Sequence, residues 1–152
     1  MTIALRDYPF FEDFDDREVR LLESVMEERT LAGSEFLFRK GDIARECYFL
    51  LSGKVYVGIE SGEEFQTLAE LVEGDIFGEL ALLDGGGRSA SCRVSFEGAR
   101  VAILGRSEFD QVFNSGNPFA YSLLDLISER LIDRVRGAVV ELAQVMETER
   151  SS

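Results

Sequence analysis

The side chains best suited to chemistry fall in one stretch, residues 74–91, which reads Gly-Asp-Ile-Phe-Gly-Glu-Leu-Ala-Leu-Leu-Asp-Gly-Gly-Gly-Arg-Ser-Ala-Ser. A strand is expected to end at Gly74-Asp75-Ile76, with a short helical turn from Glu79 to Leu83 after it. A glycine-rich loop then leads to an isolated Arg88, and a new strand is expected to start at Ser89. The amides that open a helical turn have no partner within it and can take an anion. Arg88 adds a full charge in a planar fork suited to phosphate oxygens, and Ser89 a hydroxyl and an N–H beside it. Glu79 has the wrong sign for phosphate but can accept hydrogen bonds from a ribose hydroxyl. One arginine, one serine, one glutamate and a helical terminus together outline a site for a compact ribose bearing a single negative phosphate, as in a cyclic nucleotide.

The rest of the chain narrows the chemistry. Histidine is absent from all 152 residues, which removes Ser-His-Asp and Cys-His catalysis and the usual zinc or non-haem iron sites. No metal and no cofactor are therefore expected, and a metal-dependent enzyme on a jelly roll is disfavoured. Cys47 and Cys92 lie in apolar, strand-like runs and are expected to be buried, reduced thiols. With 16 basic against 29 acidic residues, a net charge of -13 and only Lys40 and Lys54 as lysines, no nucleic-acid surface is expected. In that acidic field a phosphate ligand needs a local cation, which Arg88 supplies. There is no signal-peptide pattern, and no apolar run approaches the ~18 residues of a membrane span. A cytoplasmic protein without membrane contact is the expectation.

Such a site needs a scaffold, and the length and 45% hydrophobic content suit a single compact domain. Phe10, Phe11 and Phe14 form an aromatic entry expected to pack under the scaffold. Asp15 with Glu18 three residues on signals a helix N-terminus, and Val19, Leu22, Val25 and Met26 follow at helical spacing. From about residue 29 the period becomes two, through Phe36 and Phe38, then Tyr48 to Leu51, then Val55, Val57 and Ile59. Ser52-Gly53-Lys54 and Ser61 to Glu64 both read as hairpin turns. Further strands are expected over about 65–71, 90–96 and 100–104. Many short strands with glycine turns imply a small antiparallel barrel or jelly roll.

The last quarter reads as helix. Ser107 is a candidate cap for a short helix carrying Phe109, Val112 and Phe113. Asn117-Pro118 then signals a long helix to about residue 148, roughly 45 Å at 1.5 Å per residue. Leu124, Leu131, Ala138 and Val145 repeat every seven residues, with Val135 and Leu142 beside them and Ile132, Val139 and Met146 widening the stripe. A helix of that length outreaches a small barrel, so a self-dimer seam is expected. Charge at Arg93, Arg130 and Arg134 is expected to be solvated, and Tyr121 to pack.

Residues 74–91 resemble the phosphate-binding cassette of the cyclic-nucleotide-binding domain family, which includes the catabolite activator protein and the regulatory subunits of protein kinase A. Lys40-Gly41-Asp42, Tyr48-Phe49-Leu50, Gly53-Lys54-Val55 and Gly74 to Glu79 follow the family's order, and the resemblance covers about residues 9–148. It implies an α+β, mainly β fold: an eight-stranded antiparallel β-roll, jelly-roll-like, with a short N-terminal helix and a long C-terminal helix. Residues 1–116 would form the roll and its short helices, and 117–152 the lid or dimerisation helix of the same single domain.

By resemblance, Glu79 would bind the ribose 2′-hydroxyl, and Gly78, Leu80 and Ala81 would line the sugar-phosphate with backbone groups. Arg88 would pair with the cyclic phosphate, Ser89 and Ala90 would complete that contact, and Leu68 and Ala69 would meet the base. Many members carry Pro or Gln before the cassette arginine, whereas this chain has Gly87 after Gly85 and Gly86, which makes the loop costlier to order. Ser89 suits cyclic AMP or cyclic GMP; cyclic AMP is expected from the simple, bacterial style of the module. The chain is expected to be a standalone, non-catalytic sensor without a DNA-binding domain, acting as a homodimer on a protein effector through its last helix. The alternative is a nucleotide-silent dimerising adaptor of the same fold.

Overall fold

The computed structural model describes residues 4–79, 86–114 and 118–150. The chain divides into two compact units, residues 1–111 and 112–152.

The first unit opens with two 3-10 turns, Leu5–Asp7 and Pro9–Phe11, and helix α1, Asp16–Val25. Asp15 accepts from the Glu18 amide at 2.8 Å while Glu18 accepts from the Asp15 amide at 3.2 Å, the reciprocal cap that the sequence spacing predicts. Six antiparallel strands follow: β1 (Glu27–Leu31), β2 (Phe36–Phe38), β3 (Glu46–Ser61), β4 (Glu64–Leu71), β5 (Ile76–Phe77) and β6 (Ser91–Gly105). Helix α2, Arg106–Asn114, succeeds them.

The expectation of eight strands is thus corrected to six among the described residues. Ser52-Gly53-Lys54 is no hairpin turn; β3 runs straight through it, with shifts of register against β6 between Leu50 and Ser52 and between Gly53 and Val55. Gly53 lies opposite Ala99 at φ +86, and a Cβ there would fall 2.5 Å from the Gly98 carbonyl oxygen, so only glycine permits this crossing. Both long strands therefore have two arms. The arms Glu46–Gly53 and Ala99–Gly105 pair with each other and are flanked by β5 and β1. The arms from Val55 and from Ser91 pair likewise and are flanked by β4 and β2. Reading each arm as a separate strand is what produces eight. The strand expected from Ser89 begins at Ser91, and Ser107 lies inside α2 rather than before it.

The hairpin at Ser61 to Glu64 is present, with those two residues paired. The first arm of β3 is buried on both faces, which is why Tyr48 to Leu51 reads as a continuous apolar run. Tyr48 and Leu50 join the roll's core with Leu31, Val55, Phe77, Cys92, Val94, Val101 and Ile103. Phe49 receives the N-terminal aromatics, its ring 5.1, 5.6 and 4.9 Å from those of Tyr8, Phe10 and Phe11.

The second unit is dominated by helix α3, Pro118–Arg150, two residues longer than expected, so that its 33 residues span about 50 Å at 1.5 Å per residue. Leu123 and Ile127 are buried, whereas Ile132, Val135, Val139, Leu142, Val145 and Met146 are each about half or more exposed. Among the described residues no helix is long and apolar enough to cross a membrane.

Candidate functional site

Two turns of the same build frame the site. At Arg39–Asp42 the Asp42 carboxylate accepts the Arg39 amide at 2.9 Å, and at Val72–Asp75 the Asp75 carboxylate accepts the Val72 amide at 2.9 Å. The second turn is tied to β3, since Leu50 donates to the Asp75 carbonyl and accepts from the Gly74 amide, both at 2.9 Å. It delivers β5, which pairs with Tyr48 and Phe49 and leads directly into Gly78-Glu79. The first turn receives the far end of the glycine-rich loop. The Arg88 amide donates to the Asp42 carbonyl at 2.8 Å, the Gly41 amide to the Arg88 carbonyl at 2.9 Å, and the Ala44 amide to the Gly86 carbonyl at 3.0 Å. These three bonds fix Gly86 to Arg88 as a short antiparallel ladder, which limits the freedom of Gly86 and Gly87.

Arg88 thereby enters the protein instead of solvent, with only 8% of its surface exposed. Its Nη1 donates to the Gly78 carbonyl at 3.3 Å and its Nη2 to the Glu46 carbonyl at 2.7 Å. The guanidinium carbon lies 4.2 Å from the centre of the Phe38 ring and 5.5 Å from that of Tyr48. Nε is buried and has no hydrogen-bond partner among the described residues. A buried donor without a partner is costly. Gly78 holds φ +71, and a Cβ there would lie 2.7 Å from Arg88 Nη1. Glu79 is 2% exposed.

Both buried thiols feel the charge of Arg88. Burial pushes Cys47 up to about 12, with Glu79 raising it further and Arg88 pulling it down. Burial likewise pushes Cys92 up to about 12 against the pull of Arg88. Both are free and buried, as the sequence predicts. Tyr48 is raised by burial first and then by its hydrogen bond, donated to the Glu46 carboxylate at 2.6 Å.

Of the sequence-predicted site residues, Gly78, Glu79 and Arg88 belong to this one region, with Arg88 bonded to Gly78. Ser89 is exposed and Ala90 half-buried just after the ladder. Leu80 and Ala81 lie outside the described residues, as does the rest of the helical turn expected after Glu79. Leu68 and Ala69 are exposed on β4; Leu68 is 58% exposed and is the bulged residue, since Val57 pairs with Ala69 and Gly58 with Thr67. Sequence reasoning missed Phe38, Glu46 and Tyr48 as supports of Arg88. It also missed Ser91, whose hydroxyl accepts the Lys40 amide at 2.9 Å and donates to Glu60 at 3.0 Å, Glu60 being paired with Arg39 at 2.6 Å. Arg39 next to Gly41-Asp42 was the available signal for that group.

The site thus joins a buried guanidinium, the Gly78 carbonyl and a buried carboxylate at Glu79. The profile of the cyclic nucleotide-binding domain matches residues 28–115, and the chain belongs to that family. It is 32% identical over 128 residues to the cyclic AMP receptor protein of Thermus thermophilus, covering 84% of this chain and 59% of that protein. It is 35% identical over 109 residues to cGMP-dependent protein kinase isozyme 1 of Drosophila melanogaster, covering 72% of this chain but 14% of the kinase. The chain therefore spans less than two thirds of either relative. The Thermus thermophilus catabolite activator protein superposes with a TM-score of 0.74 at 31% identity, over 90% of this chain and 62% of that one. The regulatory domain of Toxoplasma gondii protein kinase A, crystallised with cyclic AMP, gives 0.61 at 28% identity over 71% of this chain and 41% of that one.

Proposed function

We propose that this chain is a non-catalytic, cytoplasmic cyclic-nucleotide sensor that takes cyclic AMP and signals to a protein effector as a homodimer through its C-terminal helix. The observation that carries the reading is Arg88: a cation at the end of a glycine loop, buried, oriented by two carbonyls and left with an unused Nε–H. The cyclic phosphate would bond Arg88, Ser89 and the Ala90 amide. Glu79 would accept the 2′-hydroxyl, Gly78, Leu80 and Ala81 would line the sugar, and Leu68 and Ala69 would border the base. Relatives named as a cyclic AMP receptor and as a cGMP-dependent kinase both support a purine cyclic nucleotide. The apolar stripe from Ile132 to Met146, exposed along α3, supports pairing with a second copy. Ligand bound at residues 78–90 would favour one arrangement of the last helix and so change a partner-facing surface, a population shift of about 1–3 kcal/mol.

The site assignment is tested by Arg88→Ala and Glu79→Gln. Arg88→Ala is expected to abolish the cyclic AMP-induced rise in melting temperature while leaving the oligomeric state unchanged. Glu79→Gln is expected to weaken cyclic AMP but not 2′-deoxy cyclic AMP. Wild-type binding in Arg88→Ala would sink the assignment, and a folded wild-type chain that ignores both cyclic nucleotides would favour the adaptor.

A further inference from the structure

We infer that Phe38 is a positioning residue for Arg88, its ring forming the floor that keeps the guanidinium plane in the phosphate-ready orientation. The proposal rests on the nucleotide-binding reading of the site and names a residue that the cassette itself does not contain. A guanidinium has five N–H donors in one plane. The bonds from Nη1 to Gly78 and from Nη2 to Glu46 fix its direction within that plane. They do not stop it from tilting, because hydrogen bonds to single carbonyls bend easily. The contact that opposes tilting is with a flat surface, and Phe38 supplies one 4.2 Å from the guanidinium carbon.

Phe38 is itself held in a row. Its ring stacks on Tyr48 at 5.9 Å and 22°, and Tyr48 stacks on Phe77 at 5.2 Å and 22°. Tyr48 cannot rotate freely because its hydroxyl donates to the Glu46 carboxylate at 2.6 Å. Glu46 thus acts twice, through its carbonyl on Arg88 and through its carboxylate on Tyr48. The ring's negative face also suits a desolvated cation, which a branched aliphatic side chain of similar volume does not.

The test is Phe38→Leu, with Phe38→Met as a second aliphatic variant and Phe38→Tyr as the conservative one, all checked for wild-type circular dichroism. If the bare guanidinium holds the poised orientation about one tenth of the time, cyclic AMP affinity falls about tenfold. Calorimetry is expected to show that loss in the Leu and Met variants and recovery to within about threefold in the Tyr variant. Adenosine, which has no phosphate for Arg88, is expected to bind all four proteins equally. In 15N spectra the Arg88 Nε–H signal, assigned by its loss in Arg88→Lys, is expected to lose its ring-current shift in the aliphatic variants. Unchanged cyclic AMP affinity, or an equal loss for cyclic AMP and adenosine, would overturn the proposal. If the wild type bound neither cyclic AMP nor cyclic GMP, the functional reading would fail instead. The Nε–H shift would then decide the Phe38 contact by itself: its loss would support the contact, and its persistence would overturn it.

Discussion

Replacing Gly78 with alanine probes the site at its tightest point. The residue holds φ +71, where a side chain strains the backbone by about 1–2 kcal/mol. The new methyl would also start 2.7 Å from Arg88 Nη1 and 3.3 Å from a Tyr48 ring carbon. Tyr48 is buried in the core, whereas Nη1 is the end of a flexible side chain, so the guanidinium is the group that yields. Opening that 2.7 Å contact to the 3.4 Å of an ordinary van der Waals separation moves Nη1 by about 0.7 Å, enough to weaken a directional bond. The charge-assisted bonds at stake are worth about 1.5–3 kcal/mol, which is about 10- to 150-fold in affinity. Strain of 1–2 kcal/mol lowers the melting temperature of a chain this size by roughly 2–8 °C. Gly62→Ala is the internal control, because Gly62 has φ +65 in the β3–β4 turn but nothing within 4 Å of the added methyl. Both variants should melt earlier by similar amounts, and only Gly78→Ala should lose cyclic AMP in calorimetry. Equal ligand affinity in the two would refute the reasoning.

Two further expectations follow from the structure. Cys47 and Cys92, both pushed up to about 12 by burial, should resist iodoacetamide at pH 8 in the folded chain and react on unfolding. Because their folded values lie above the unfolded ones, the stability they contribute is intact below pH 9 and is lost between about pH 9 and 12. Each thiol costs about 1.4 kcal/mol per pH unit in that window. Urea unfolding at pH 8 and pH 10.5 should show the loss in the wild type and a smaller one in Cys47→Ala/Cys92→Ala. On α3, Val139→Asp with Leu142→Asp places two carboxylates on the exposed stripe. If the proposed homodimer forms through this stripe, light scattering should report a dimer for the wild type and a monomer for the variant, and an unchanged mass would remove that seam.

Local signals carried much of the fold. Asp15 and Glu18 mark a helix start because the cap is made within four residues, and the Ser61 to Glu64 turn is likewise decided by adjacent residues. Gly53 misleads for a physical reason. A left-handed glycine between two apolar runs looks the same in a hairpin and in a bulge, and what separates them is Gly98, distant in sequence but pressed against it in space. Arg88, Glu79 and Gly78 stand out in the sequence because charge and glycine are rare in a strand-rich core. Their supports do not, since the Glu46 and Gly78 carbonyls exist in any sequence and Phe38 reads as ordinary strand alternation.

The most direct test of the central claim is calorimetric titration of the full chain with cyclic AMP, cyclic GMP and 5′-AMP. The account predicts one saturable site per chain for cyclic AMP, with 5′-AMP bound at least about a hundredfold more weakly, as expected when a buried site is shaped for one charge and a closed ring. Absence of binding by either cyclic nucleotide to the folded chain, or equal binding of cyclic AMP and 5′-AMP, would contradict it.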